Sequence, residues 1–363
     1  MSADSPGEAR ASGGGAAIDF VTVVFSAELP LLVLQARSIA RHVDADALGA
    51  IVLILNDPDE AACRRALEGL RGEYGRFADR VRIVSPTTLL DEPDGLRARL
   101  RAAWVAGGRT RFKARLRRRR RRDNPAGWCG NNGWSMQQAF KLLCAPVCSA
   151  DHIVFLDAKN HFLRAADAAH FVAADGRART RALTPDAKQR SWVEASFAAL
   201  GLTPPPPGEV PPTVTPFAIE RAVLAECAAR LTERLGPLEC FFALRRGRAT
   251  EFMLLYAALD GGEGRWWRLF AEGLPASVTV FRPPEAGDPD DAAMLEAVRA
   301  LRREPALIAG VHRTRLAHLD GEVRRELLGL WSAHGLIAGA DELERLFPAP
   351  SSRTVPSRAM LGR

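Results

Sequence analysis

Residues 152–162 read "HIVFLDAKNHF". Ile153–Leu156 form an uninterrupted apolar run, the pattern of a central strand covered on both faces. Asp157, Lys159 and Asn160 follow at once, where the chain leaves the sheet. The stretch therefore predicts a buried strand whose carboxyl end carries an acid, a base and an amide. It decides the fold if similar runs, joined by helices, flank it.

They do. "IDFVTVVFS" (18–26), "GAIVLILND" (49–57) and "RVRIVSP" (80–86) are apolar, β-branched runs, and the second stops at the turn signal Asn56-Asp57-Pro58. Between them, "ELPLLVLQARSIARHV" and "DEAACRRALEGLRGEYG" have helical apolar spacing. A helix from about Ser135 leads into the 152–157 strand. This alternation predicts an α/β fold, a mostly parallel sheet flanked by helices with right-handed crossovers.

Beyond the strand the pattern weakens. "TPPPPGEVPPTVTPF" (203–217) excludes a helix or a central strand. "AIERAVLAECAARLTERLG" and "ATEFMLLYAALDGG" read as amphipathic helices, the second closed by glycines. The late runs "ASVTVF" (276–281) and "ALIAGVH" (306–312) are expected to complete the sheet. The reading is a single large domain over 18–347, with a disordered tail at 1–17 and a flexible one at 348–363.

Composition is that of an ordinary soluble chain, 47% hydrophobic and 26% charged over 363 residues. No apolar stretch approaches the ~18–20 residues that span a bilayer. The first residues contain early acids, Gly and Ser without an apolar core, which predicts a cytoplasmic protein. The six cysteines form no CxxC pair and suit buried, reduced thiols better than a zinc site.

The net charge of +7 is local. Thirteen Lys or Arg and no acid lie between Arg97 and Arg122, so the remainder of the chain is net negative. Residues 97–124 read as a basic insertion loop. Such a run is a solvated loop or, through 97–122, a peripheral contact with anionic membrane. Only Trp104 and Phe112 interleave it, which argues against a nucleic-acid stacking platform.

Common catalytic motifs are absent. No GxxxxGK[ST], no GxGxxG after the first strand and no HExxH occurs, and Gly133-Trp134-Ser135-Met136-Gln137 lacks the second glycine of a nucleophile elbow. What remains is polar residues at strand ends: Ser26 and Glu28, Asn56 and Asp57, then Asp157, Lys159 and Asn160. In an open α/β sheet the ligand crevice lies at the carboxyl ends of the strands. Gln137 and Lys141 share one face of the preceding helix, a ligand-facing or a merely solvated one. Trp128, Trp134, Trp266 and Trp267 could stack on sugar rings, with core or rim packing as the default.

"VTVVFSAELPLLVLQARSIARHV", "GWSMQQAFKL", "VFLDAKNHF", "TPFAIERAVL" and "TEFMLLYAAL" together resemble a bacterial family of glycosyltransferase-like proteins with the GT-A, nucleotide-diphospho-sugar transferase fold. The resemblance implies a glycosyltransferase moving a sugar from a nucleotide-diphosphate donor to a saccharide acceptor, with surface-polysaccharide synthesis as the setting it suggests. The alternative is a non-catalytic nucleotide-sugar or glycan binder. By the same resemblance Ser26 and Asp57 contact the nucleotide, and Gln137, Gln138 and Lys141 face the donor. Asp157 matches the first acid of the family's Asp-x-Asp element, which binds the donor diphosphate through a divalent metal, Mn or Mg. Lys159 stands where the second acid belongs. Either Lys159 neutralises the diphosphate itself, or Asn160 and His312 complete a metal shell with Asp157. Glu251 is the implied catalytic base, although an acid after Thr250 also suits a helix first turn.

Overall fold

A computed structural model describes residues 18–57, 59–90, 133–244, 249–261, 264–281, 291–316 and 321–348. The expected tail at 1–17, the basic loop at 97–124 and all but Pro348 of the expected tail at 348–363 lie outside them, as do Trp128 and Cys129.

Strands β1 (Ile18–Val24), β2 (Leu48–Leu55), β3 (Val81–Val84) and β4 (His152–Leu156) are mutually parallel, in the order β3-β2-β1-β4. Every residue of β1 and β4 is buried, because helices cover both faces of the sheet. Helix α1 (Leu29–His42) crosses from β1 to β2, α2 (Glu60–Leu70) from β2 to β3, and α3 (Gly133–Leu143) precedes β4. Proline near the start of α1 and Arg41 and His42 in its last turn suit the orphan amides and the negative dipole end. The Asp59 carboxylate caps α2 by accepting from the Ala62 amide at 2.9 Å. The fold is thus the expected α/β architecture, a mostly parallel sheet flanked by helices in one domain.

Two expectations need correction. The segment starting at Ala218 does not begin as a helix. After β5 (Asn160–Phe162), β6 (Arg179–Thr180) and α4 (Ala187–Ala199), Phe217–Glu220 form strand β7, antiparallel to β4, and helix α5 (Arg221–Leu235) starts only then. Pairing with the buried β4 outweighs the helical pattern. Helices α6 (Leu238–Leu244), α7 (Glu251–Asp260) and α8 (Trp266–Leu269) follow, then β8 (Ala271–Glu272), which pairs with β6.

The late strands do not extend the main sheet either. β9 (Ser277–Phe281), helix α9 (Asp291–Arg303) and β10 (Ile308–Val311) lead back to β5, which pairs antiparallel with β10 in a separate three-stranded sheet. The chain leaves β4 through a turn closed by the Asn160 amide on the Asp157 carbonyl at 2.8 Å, which takes β5 out of the main sheet. Helices α10 (Arg313–Leu316), α11 (Gly321–Ala333) and α12 (Ala340–Leu346) complete the described chain.

Aromatic packing ties the layers together. Phe162 of β5 stacks on Phe20 of β1 at 5.5 Å, and Phe217 of β7 stacks on Phe252 of α7 at 4.1 Å. Each such buried ring contributes roughly 1.5–3 kcal/mol from area alone. Trp266 is fully buried against Phe270 and belongs to the core, whereas Trp134 is 48% exposed. No described helix is long and apolar enough to cross a membrane.

Candidate functional site

The carboxyl ends of β1, β2 and β4 lie side by side. A 3₁₀ turn, Ser26–Glu28, follows β1, Asn56 and Asp57 follow β2, and Asp157 follows β4. Asp57 bridges two of these ends: Oδ2 accepts from the Ser26 amide at 2.8 Å and Oδ1 from the Asp59 amide at 2.9 Å. The neighbouring Asn56 is buried. Its amide donates to the Gly133 carbonyl at the start of α3, while its Oδ1 has no partner among the described residues.

Asp157 is the centre of an ionic chain. Its Oδ1 accepts from Gln137 Nε2 and from Lys141 Nζ, both at 3.1 Å, and its Oδ2 lies 2.5 Å from Lys159 Nζ. The four-residue spacing of Gln137 and Lys141 on α3 aims both at that one oxygen. Lys141 Nζ also donates to Glu251 Oε1 at 3.1 Å and lies 5.1 Å from the Phe252 ring centre. The order is Glu251, Lys141, Asp157, Lys159, with Lys141 the most enclosed at 4% side-chain exposure and Lys159 the most open at 22%.

Burial alone would raise the Asp157 carboxyl. The Lys141 and Lys159 ammoniums more than reverse this, by attraction and by hydrogen bonds, and hold it well below the usual carboxylate range. Burial works to discharge Lys141, but Asp157 and Glu251 outweigh it and raise its pKa, so the ammonium stays charged. Asp157 and Lys141 therefore face each other as an ion pair at neutral pH.

Glu28 behaves oppositely. Its pKa is raised, first by burial and then by the charge of Asp157, with Lys159, Arg313 and Lys141 pulling the other way. Its carboxylate makes no hydrogen bond or ion pair with any described residue. Arg313, at the start of α10, lies over the Phe25 ring at 5.5 Å, beside the same turn. His312 precedes it. Burial, with Lys159 and Arg313 adding repulsion, pushes the imidazole down to about 4, so it is neutral at pH 7.

The structure assigns different work to two expected donor ligands. Gln138 is 2% exposed and faces away from Asp157. Its Oε1 accepts from the Glu251 amide at 3.2 Å and its Nε2 donates to the Trp134 carbonyl at 3.4 Å. It thereby caps α7, a task the Thr250 hydroxyl does not perform. Asn160 is fully buried, and its Oδ1 accepts from the Asp157 amide at 2.7 Å and from Thr215 Oγ1 at 2.8 Å. Its amide oxygen serves the turn rather than a metal.

Could these residues hold Mn or Mg? Both ions require several oxygen ligands in a defined shell. Both Asp157 oxygens carry ammonium partners, the Asn160 oxygen is used, and the second acid position is Lys159. Among the described residues no group of three or more His, Cys, Asp or Glu gathers as a metal shell. The donor set does not fit a divalent cation, although His312 does sit within the electrostatic reach of Asp157.

Sequence reasoning placed Glu28 among the strand-end polar residues without a chemical role, and singled out neither Arg313 nor Gln35. Gln35, fully buried on α1, donates to the Asp157 carbonyl at 2.7 Å and accepts from Thr22 Oγ1 at 3.1 Å, holding the strand-end turn. Its signal was available: a lone amide in the apolar run "LLVLQA". Arg313 had none, because its place beside Phe25 depends on a contact across almost the whole chain.

A family model described as "Family of unknown function (DUF6492)" matches residues 31–276, about two thirds of the sequence. The chain belongs to the DUF6492 family. No curated protein matches it. Among solved structures, the DUF6492 chain is similar to a galactosyltransferase, LgtC, in complex with donor and acceptor sugar analogues. That match has 12% identity and a TM-score of 0.43, over 90% of this chain and 99% of that one. It is also similar to the apo form of WbbM, a bifunctional glycosyltransferase, at 10% identity and TM-score 0.38, over 81% of this chain and 45% of that one. The DUF6492 match spans every residue of the ionic chain from Gln137 to Glu251, and leaves Glu28, His312 and Arg313 outside it.

Proposed function

We propose that the crevice at the ends of β1, β2 and β4 binds a nucleotide-diphosphate sugar and that the chain transfers the sugar to a saccharide acceptor. One observation carries this reading. Glu28, Asp57, the Asp157–Lys159 turn and Arg313 come from four separate chain segments to the edge of a parallel sheet where α/β folds place ligands. In it, Ser26 and Asp57 take the nucleotide end. Gln137 and Lys159 face the diphosphate and sugar, and Lys141 holds Asp157 and Glu251 in place by donating to both.

Transfer requires the acceptor hydroxyl oxygen to bond to the anomeric carbon while the bond to the diphosphate breaks. The nucleoside diphosphate leaves with the electron pair, and the hydroxyl proton must go to a base. Glu251, the base expected from sequence, is tied to Lys141. Glu28 carries no such partner among the described residues, and burial beside Asp157 raises its pKa, the direction that makes a carboxylate a better base. Glu28 therefore takes the proton in this reading. The setting proposed is surface-polysaccharide synthesis, with residues 97–122 touching anionic membrane.

The test is a panel of nucleotide-diphosphate sugars, scored for thermal stabilisation and for released nucleoside diphosphate. One donor should stabilise the chain, and Glu28→Gln should lower turnover by roughly 10²–10⁴-fold with that stabilisation retained. Lack of stabilisation by every donor would remove the reading. A non-catalytic binder is the second reading, favoured by the ion pair that occupies Glu251, and predicts stabilisation without release.

A further inference from the structure

We infer that this site binds the diphosphate of its ligand without a divalent metal, with Lys159 and Arg313 supplying the positive charge from the protein. The inference rests on the proposed function for the ligand's class and goes beyond it in how the leaving group is neutralised.

Four observations carry it. Lys141 Nζ sits 3.1 Å from one oxygen each of Asp157 and Glu251, bridging two carboxylates as a cation would. The Lys159 ammonium stands on the other Asp157 oxygen, so a divalent ion there would meet two fixed positive charges. An ammonium has three donors, and Lys159 gives Asp157 one. At 22% side-chain exposure it can turn the others toward a bound anion. Finally, the Asn160 oxygen that could extend a metal shell is turned inward by the Asp157 amide and Thr215.

Lys159 is also held in place. Gly310 pairs with the next residue, Asn160, across the three-stranded sheet, and an added Cβ at Gly310 would lie 2.9 Å from the Lys159 carbonyl oxygen. The close approach of β10 sets the turn that presents Lys159, and Arg313 follows three residues later. One backbone segment thus positions both cations. Charge held in advance by the fold needs no reorganisation when the leaving group develops charge.

The experiment is calorimetric titration of the full chain with inorganic pyrophosphate, first in chelator and then in manganese, alongside titration with manganese alone. Pyrophosphate should bind in chelator, and manganese alone should give no saturable heat at this site. Lys159→Met should weaken pyrophosphate binding about 10–100-fold, the scale of a charged hydrogen bond, and Lys159→Arg should restore most of it. The melting temperature of Lys159→Met should match the parent, because Lys141 still holds Asp157. If that variant melts lower, the comparison between Lys159→Arg and the parent carries the test. Binding only with manganese overturns the inference, as does no binding in either condition or indifference to Lys159→Met. The transferase reading is judged separately. Strictly manganese-dependent sugar transfer would keep that reading and remove this inference, and pyrophosphate binding in chelator without any transfer would do the reverse.

Discussion

Asp19 in β1 and Asp157 just past the end of the neighbouring parallel β4 lie at opposite ends of the sheet, and each carboxylate is satisfied by a different kind of partner. Asp19 is fully buried. Its Oδ1 accepts from the Ala50 amide at 2.7 Å, and its Oδ2 from the Ser149 and Ala150 amides at 2.6 and 3.0 Å. Asp157 is partly open and is held by side chains: two ammoniums and an amide. Backbone amides are fixed dipoles that pin three strand ends together and cannot be lent to a ligand. Ammoniums on long side chains have spare donors and can be shared. The amino end of the sheet is therefore a structural knot, and the carboxyl end is the one equipped for chemistry.

The largest expected effect is at the knot. Asp19→Ala leaves three amides without an acceptor, two of them buried, and should cost about 3–5 kcal/mol in urea unfolding, with much of the chain unfolded at 37 °C. The same knot requires Gly49, where a Cβ would fall 2.5 Å from Asp19 Oδ1. A loss below about 1 kcal/mol would show that water replaces the carboxylate, and the contrast between the two ends would fail.

Next is Lys141→Met, which removes the cation between Asp157 and Glu251. Taking one partner from a buried ionic group costs about 3–5 kcal/mol, and Lys159 should keep this loss near the lower figure. Its pH dependence gives the sign. Burial raises the Asp157 carboxyl and Lys141 is the first of the two ammoniums that reverse this, so without it protonation relieves the buried charge and the variant should close on the parent as pH falls. An equal deficit at pH 8 and pH 4.5 would mean that Lys141 acts by packing alone.

The smallest effect separates the site from the fold in acid. Burial pushes the His161 imidazole down to about 4, only partly offset by hydrogen bonds to the backbone at Leu31 and Ala158. Its folded pKa lies below the ordinary 6.5, so the unfolded chain binds the extra proton. Stability is full above pH 6.5 and declines as pH falls toward 4, by at most about 3 kcal/mol. Asp157, held below the usual carboxylate range, keeps its contribution through that whole window. Urea midpoints from pH 7.5 to 4.5 should fall in the parent and fall less in His161→Gln. Equal slopes would place the acid sensitivity elsewhere.

Local pattern carried the sheet and its site edge. Three buried apolar runs and the shorter, part-exposed "VRIV", each closed by polar residues, determined a parallel α/β sheet and placed Asp57 and Asp157 at strand ends, because burial on both faces leaves an unbroken apolar run in the sequence itself. The four-residue spacing of Gln137 and Lys141 likewise placed them on one helix face. Tertiary structure alone decided which way each side chain points and what it meets. Gln138 turns to cap α7 and Asn160 turns into its own turn, since a buried amide goes to whichever orphan donor or acceptor lies nearest. Phe217–Glu220 become a strand because β4 offers an unpaired edge. Lys141 becomes the keystone only when α7, over a hundred residues away, brings Glu251 to it. Those outcomes depend on pairing between distant segments, and no local spacing records the distance between them.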